Sequence, residues 1–533
     1  MAYYQDIREY MKLLEANDKL VRVSREINKD TELMPLVRWQ YRGLSEDQRK
    51  AFYFDNIIDA KGKKFNGSVL VGAHGASTEV YALGMQCETD KIMEKWAHAQ
   101  SNPIKPAMVK SGVCQEEVHE GKGLLEHGGL MEFPVPISTP GFDAAPFLSA
   151  SNWITKDPET GIRNIGNYRA MLKSPTRTGI NCTWPQHLRQ HWDKCHARGI
   201  PLQAAIVMGV QPSIGYISIT KVPYGVDEYD IAGGINGEPI QLVKCKTVDI
   251  EVPATAEIVI EGEFPVEAME REGPFGEHSG YIFQQGVRPF FNVTCITHRK
   301  NPMYTCFISQ FPPSESSKIR QISDNAVLYH HLKYTMGIAG LLDVCWHEES
   351  GSWQFVVIRL KKAFPVQPWQ ALKAADALDP IRGKIIIAVD EDIDARDLDS
   401  VVWALCYRMQ PDKDILISPG KAASLDPSAA PPNAPPPPGF PEDGSDFPTS
   451  SVLINATRKW DFPPTALPAQ EFMENSRKIW EELGLPPLKP KIPWYGRSLG
   501  NWTKEFEEEA RLAVKGEYFK TGDKIARNER EDV

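Results

Sequence analysis

Apolar positions recur at three- and four-residue intervals near both ends of the chain and alternate with polar ones through its middle. At 4–16 the spacing of Ile7, Met11 and Leu14 predicts an amphipathic surface helix, and Gly-Ser-Val-Leu-Val-Gly at 67–72 predicts a buried strand. The first ~130 residues therefore read as a mixed α/β domain. Phe133 to Gly141, dense in proline and glycine, marks a boundary. From about 145 to 310 the texture changes to short strands and turns. Residues 202–210, 216–220 and the alternating 257–264 predict strands, a spacing that argues for a barrel or sandwich. Residues 316–335 then show helical spacing at Ile319, Ile322, Ala326 and Tyr329, long enough to link two domains.

Further strands are predicted at 354–359 and 384–389, the second running into Asp390-Glu-Asp-Ile-Asp394, which reads as a solvated loop. The proline run within 429–440 predicts an exposed polyproline II spacer; a ligand for a proline-binding module is the lesser reading. Phe472, Ser476, Ile479, Trp480 and Leu483 share one helix face closed by Gly484, and a second helix should follow Thr503 and end near Gly516. The aromatic-rich stretch 492–502 between them needs a neighbour to pack on, so the tail reads as an oligomer contact. These signals divide the chain into 1–140, 141–312, a linker helix 313–337, a C-terminal α/β domain 338–490 and a tail 491–533. There is no internal repeat.

Composition narrows the function classes. The 533 residues are 42% apolar and 24% charged, with a formal net charge of −10 and no basic block, so nucleic acid and anionic membranes are poor partners. Nine scattered cysteines without a Cys-x-x-Cys pair read as reduced thiols, and with no signal peptide or membrane-length apolar stretch the expected location is the cytoplasm.

The chemistry concentrates at 271–280, Arg-Glu-Gly-Pro-Phe-Gly-Glu-His-Ser-Gly. Here Glu272 and Glu277 flank a Gly-Pro-Phe-Gly turn that can aim both carboxylates into one cavity. Two acids so placed can separate their pKa values, giving a proton donor beside an ionised partner. Taken alone, the stretch also reads as a polar hairpin loop.

Asn-Ile-Gly-Asn-Tyr-Arg-Ala-Met at 164–171, Trp-Pro-Gln-His at 184–187, Gly-Val-Asp-Glu at 225–228 and the 272–281 stretch follow in order. As an ordered set they resemble the UbiD family of decarboxylases, with further support at 238–245 and 252–257. The resemblance implies a multidomain α+β or α/β fold whose central split β-barrel binds prenylated FMN. It also implies a divalent ion such as Mn²⁺ held by Asn164, His187 and Glu228, with K⁺ as a further ion. Arg169, Glu272 and Glu277 would be catalytic, and Asn164, Ile165, Arg169, Gln186, His187, Ser218, Lys221 and Glu228 would contact the cofactor. A mixed O/N donor set suits such an ion, Arg169 can hold a carboxylate and keep Glu272 ionised, and Glu277 would carry the proton.

The implied reaction is non-oxidative, reversible decarboxylation of an aromatic acid or its CoA thioester, phthaloyl-CoA being one instance suggested by the long tail. Hydroxybenzoate-type or α,β-unsaturated acids are the alternative. The cofactor takes up the electron pair left when CO₂ departs, which no side chain can do. A flavin prenyltransferase would supply it, and the family suggests a homodimer or homohexamer. Ile165 to Tyr168 depart from cinnamate-type members, and no lysine matches one used near the phosphate, which leaves the substrate open. A flavin reductase on the same barrel is the rival enzyme class, although no Gly-x-Gly-x-x-Gly follows a strand. A non-catalytic scaffold acting through the proline run and tail is the third reading.

Overall fold

The computed structural model describes residues 2–183, 185–266, 269–431, 434–440 and 446–527. The predicted strand at 67–72 forms as Ser68–Val71, buried at every position because neighbours flank it on both edges. Its sheet runs Leu20–Val23, Ala51–Phe54, Ser68–Val71, Met303–Cys306, so a strand from beyond the barrel region completes the N-terminal layer. The first helix, Ile7–Ala16, starts where the Asp6 carboxylate accepts the Glu9 N–H at 2.9 Å, and it buries Ile7, Tyr10 and Leu14.

The middle of the chain is a ten-stranded sheet with Gly286–His298 as its hub. That strand pairs antiparallel with Ile258–Phe264, Arg177–Gly179, Met269–Glu272 and Glu117–Glu120. Beyond Ile258–Phe264 the order continues through Leu202–Met208 and Asn152–Lys156 to Arg163–Asn167, and beyond Arg177–Gly179 through Ala170–Ser174 to Phe147–Leu148. Strand alternation turns Trp153, Phe264 and Phe291 inward, with ring centroids 5.0–5.5 Å apart. This is the split barrel that the sequence anticipates.

Two local expectations are corrected. The strand expected at 216–220 is instead the end of a helix, Pro212–Ile217, buried along its whole length, with Tyr216 stacked on Tyr81 at 4.0 Å. A short apolar run has no period to separate strand from buried helix, and Pro212 at the first helical turn favours the helix. The acidic stretch 390–394 is not a solvated loop: Asp390 and Asp392 are buried at the end of strand Ile385–Asp390. Arg408, itself fully buried, reaches them at 2.9 and 2.7 Å. Its helix, Leu398–Arg408, follows the acids in sequence, so the pairing was invisible to local reading.

The helix Glu315–His330 opens with a capping box between Ser314 and Ser317 and leads into the C-terminal sheet. That sheet orders Leu341–Trp346, Phe355–Leu360, Ile385–Asp390, Asp446–Ala456 and Ile415–Ser424. The proline run lies in the connection between the last two strands, which are antiparallel neighbours; Pro432 and Asn433 are outside the described residues. In the tail, Gln470–Glu482 and Lys504–Val514 bury none of their residues, leaving Ile479, Leu483, Phe506 and Val514 exposed. The cysteines are all unpaired, and no helix among the described residues is long and apolar enough to cross a membrane.

Candidate active site

A cavity of about 310 Å³ opens between the barrel and the C-terminal sheet. Asn164, Ile165, Arg169, Gln186, His187, Ser218, Lys221, Glu228 and Glu277 all line it. Glu272 stands behind Arg169, touching the cavity through it.

Strand Arg163–Asn167 carries Asn164 and Ile165, and the chain then turns at Tyr168 to start Ala170–Ser174. The turn is pinned by the Tyr168 carbonyl, which accepts from the Ser151 hydroxyl at 2.5 Å and the Trp153 indole N–H at 2.9 Å. A Cβ at Gly166 would stand 2.3 Å from the Tyr168 ring, so glycine is what lets that ring fold back over the strand. Arg169 emerges from this turn.

Glu272 ends strand Met269–Glu272, paired with Gly286, and is 1% exposed. Its carboxylate accepts the Arg169 Nε and Nη2 donors at 3.0 and 2.8 Å, a fork that fixes the plane of the guanidinium. Gly179 provides the space, since a Cβ there would lie 2.7 Å from Glu272 Cγ. Across the turn, Glu277 takes the remaining edge of the same guanidinium, its Oε1 against Arg169 Nη1. The Phe275 ring packs 5.2 Å from the guanidinium carbon and is itself backed by Phe147 at 4.3 Å. One arginine thus stands between the two glutamates and an aromatic face.

The other polar group is assembled from three separate segments. His187 opens helix His187–Ala197 and Glu228 opens helix Glu228–Asn236, with His187 Nδ1 3.9 Å from Glu228 Oε1. The other oxygen of Glu228 accepts the Ile165 backbone N–H at 2.8 Å, which ties the helix to the strand bearing Asn164. Burial pushes the Glu228 carboxyl up to about 8 and holds the His187 imidazole below its usual value. The Asn164 amide nitrogen is buried without a hydrogen-bond partner. A buried carboxylate lacking a counter-cation, a neutral imidazole and a buried amide make a donor set that fits a divalent ion of the Mn²⁺ kind. Trp184, part of the same motif, lies outside the described residues.

Ser218 and Lys221, expected at the cofactor, face the cavity from the end of the Pro212–Ile217 helix, where the Ser218 hydroxyl donates to Gly215 O at 2.8 Å. Lys221 bridges to Asp379 at 2.9 Å, joining barrel to C-terminal unit. Gln186 caps its own turn, its side-chain oxygen accepting the Thr183 N–H at 2.8 Å.

Sequence reasoning missed a wall of the cavity. His278 Nδ1 lies 3.6 Å from Glu277 Oε2 and its ring meets Trp353 at 4.9 Å. Burial, helped by the charges of Arg320, Arg382 and Arg169, keeps this imidazole neutral. Arg382 stacks on Trp353 at 4.4 Å and is held by Asp324 at 2.5 Å. For His278 the only signal was adjacency to Glu277; for Trp353 and Arg382, which come from the C-terminal unit, there was none.

Comparison with known proteins gives a consistent picture. Residues 107–312 match the family described as 3-octaprenyl-4-hydroxybenzoate carboxy-lyase Rift-related domain, and residues 319–456 its C-terminal domain. An uncharacterized protein of Synechocystis is 30% identical over 78% of this chain and 84% of its own length, and one of Archaeoglobus fulgidus is 28% identical over 90% and 98%. Among solved structures, an evolved dimeric form of the UbiD-class enzyme HmfF from Pelotomaculum thermopropionicum in complex with prFMN is 29% identical, with a TM-score of 0.71 over 85% of this chain and 95% of that one. Vanillic acid decarboxylase of Sedimentibacter hydroxybenzoicus in closed form is 26% identical, with a TM-score of 0.75 over 91% and 100%. The 3,4-dihydroxybenzoic acid decarboxylase of Klebsiella pneumoniae is 26% identical, with a TM-score of 0.73 over 86% and 95%.

Proposed function

The chain belongs to the UbiD family of carboxy-lyases, and from that membership we propose that it is a non-oxidative, prenylated-FMN-dependent decarboxylase of an aromatic carboxylic acid or its CoA thioester, of which phthaloyl-CoA is an example. The observation that carries this reading is Arg169 clasped between Glu272 and Glu277 in the cavity that also holds Asn164, His187 and Glu228. Solved relatives bind prFMN or FMN, and others decarboxylate vanillic and 3,4-dihydroxybenzoic acids.

Prenylated FMN, when bound, supplies the electron sink for the pair released with CO₂. Asn164, His187 and Glu228 would hold the Mn²⁺-type ion, whose charge would offset the buried Glu228 carboxylate. The remaining work belongs to the chain. Glu272 occupies two donors of Arg169 and leaves the Nη1 edge for a substrate carboxylate, which displaces Glu277 from it. Glu277, so freed, delivers the proton that takes the place of CO₂, with neutral His278 beside its second oxygen. Phe275, Phe307 and Trp353 keep water from the reacting carbon. One CO₂ leaves and one proton enters, so no net oxidation occurs. Run backwards, Glu277 accepts the proton and CO₂ concentration sets the direction.

A flavin prenyltransferase would furnish the cofactor, and the exposed apolar faces at Ile479, Leu483, Phe506 and Val514 support a tail-mediated homodimer or homohexamer. The test is production alongside a flavin prenyltransferase, anaerobic purification and native mass spectrometry for bound prenylated FMN. A screen of aryl acids and aryl-CoA thioesters for CO₂ release then follows. Fully loaded protein that releases CO₂ from none of them, or that oxidises NADH instead, would overturn the reading.

A further inference from the structure

Away from the cavity, three side chains converge whose chemistry the decarboxylation does not use. His119 lies on strand Glu117–Glu120, His127 caps helix Lys122–Glu126, and Glu132 ends the short turn Gly129–Glu132. One ligand atom from each lies within 4.8 Å of the others. The rings of His119 and His127 stack at 3.8 Å and 8°, and Glu132 Oε2 faces His119 Nδ1 at 3.1 Å. A fourth group stands on the far oxygen of the same carboxylate: His298 Nε2 is 3.6 Å from Glu132 Oε1. None of the four lines the cavity.

The hydrogen bonding of this cluster is incomplete. His119 Nδ1, Glu132 Oε2 and His298 Nε2 are all buried with no hydrogen-bond partner, and the His119 and His298 residues are only 6% and 5% exposed. His298 Nδ1 lies 2.8 Å from the Arg299 carbonyl oxygen, so that nitrogen carries a proton and Nε2 is the one turned toward the carboxylate. Two imidazole nitrogens and a carboxylate oxygen, buried together without hydrogen-bond partners, call for a cation among them. A proton can join one nitrogen to one oxygen; it cannot serve two imidazoles and a carboxylate together.

We propose that His119, His127 and Glu132 bind a divalent metal ion of the zinc class, with water completing the tetrahedron and His298 standing across the far carboxylate oxygen. Two imidazoles and one carboxylate are a zinc-type set rather than a magnesium or calcium one. Bonds of about 2.0–2.2 Å in a tetrahedron put ligand atoms about 3.3 Å apart, so small side-chain shifts close the site. Exposed His127 gives the ion its route in.

The ion would clamp segment 117–132 onto the end of the long strand Gly286–His298. The clamp reaches the site indirectly, since the Leu130 N–H donates to Pro175 O at 2.8 Å in the turn between Ala170–Ser174 and Arg177–Gly179, the strand whose Gly179 backs Glu272.

The experiment is zinc content by elemental mass spectrometry, and Co²⁺ titration of EDTA-stripped full-length protein, for wild type, His127→Ala, Glu132→Gln and His187→Ala. The expected result is one tightly held Zn²⁺, and intense visible Co²⁺ bands of a four-coordinate site, both kept in His187→Ala. His127→Ala, at an exposed position, and the isosteric Glu132→Gln should each weaken binding at least tenfold while far-ultraviolet circular dichroism is unchanged. Unaltered Zn²⁺ affinity in both variants overturns the proposal, and so does a wild type whose entire Zn²⁺ content vanishes in His187→Ala.

Discussion

Replacing Gly179 with alanine tests whether the grip of Glu272 on Arg169 governs turnover, because it adds one carbon where the side chain of Glu272 now lies. The new Cβ would sit 2.7 Å from Glu272 Cγ, 3.4 Å from its Cβ and 3.2 Å from Lys173 Cε. Carbon atoms pack at about 3.5–4.0 Å, so the glutamate must retreat by about 1 Å. At 1% exposure it has no open space to take up the shift. Overpacking of this kind costs about 1–3 kcal/mol of stability. A displacement of about 1 Å at an orienting group lowers a rate by about 10²-fold. The assay is CO₂ release by anaerobically purified holoenzyme on its best aryl substrate, with prenylated FMN occupancy measured in the same samples. Gly43→Ala is the control, since nothing lies within 4 Å of its Cβ. Wild-type turnover and an unchanged denaturation midpoint in Gly179→Ala would refute the claim that the fork positions the guanidinium.

Glu277→Gln should abolish CO₂ release while flavin content by mass spectrometry stays at the wild-type level. Substituting Met for Arg408 strips Asp392 of its buried guanidinium while Asp390 keeps Lys362 at 3.3 Å and Arg458 at 3.4 Å, so the urea midpoint should fall by the equivalent of about 3 kcal/mol, the low end for a broken buried pair. A pH test centres on His74, buried against Tyr216 and Phe307, where burial holds the imidazole at about 4. The folded value lies below the unfolded one of about 6.5, so the unfolded chain binds the extra proton. Stability present above about pH 6.5 is thus lost as pH falls toward 4, by about 3 kcal/mol at the lower end. His74→Phe should remove that slope, whatever constant offset its packing adds; urea midpoints of the two proteins that run parallel from pH 7 to 5 would count against it.

What could be read in the sequence was what is local. Glu272 and Glu277 were legible because one turn carries both, and the two tail helices because their apolar spacing and the Thr503 and Gly484 signals lie within each segment. Asn164, His187 and Glu228 are far apart along the chain, and only family resemblance grouped them; the fold brings them together through a strand edge and two helix starts. Gly166 and Gly179 gave no sign, because the space each leaves is used by a side chain elsewhere. The helix at Pro212–Ile217 was read as strand because burial on all sides erases periodicity, and the acids at 390 and 392 looked solvated because their partner, Arg408, lies a helix away.

The seam between barrel and C-terminal unit, crossed by Lys221 and Asp379, bears on which substrates fit. The cavity of about 310 Å³ is lined both by the residues expected at the cofactor and by Arg169 and Glu277, so a substrate takes only the space the flavin leaves. A thioester would thread its long pantetheine arm through the join and leave the nucleotide outside, wedging the halves apart for as long as it stays. The Lys221–Asp379 link crosses that join, so a tethered guest would hold it broken where a free acid need not.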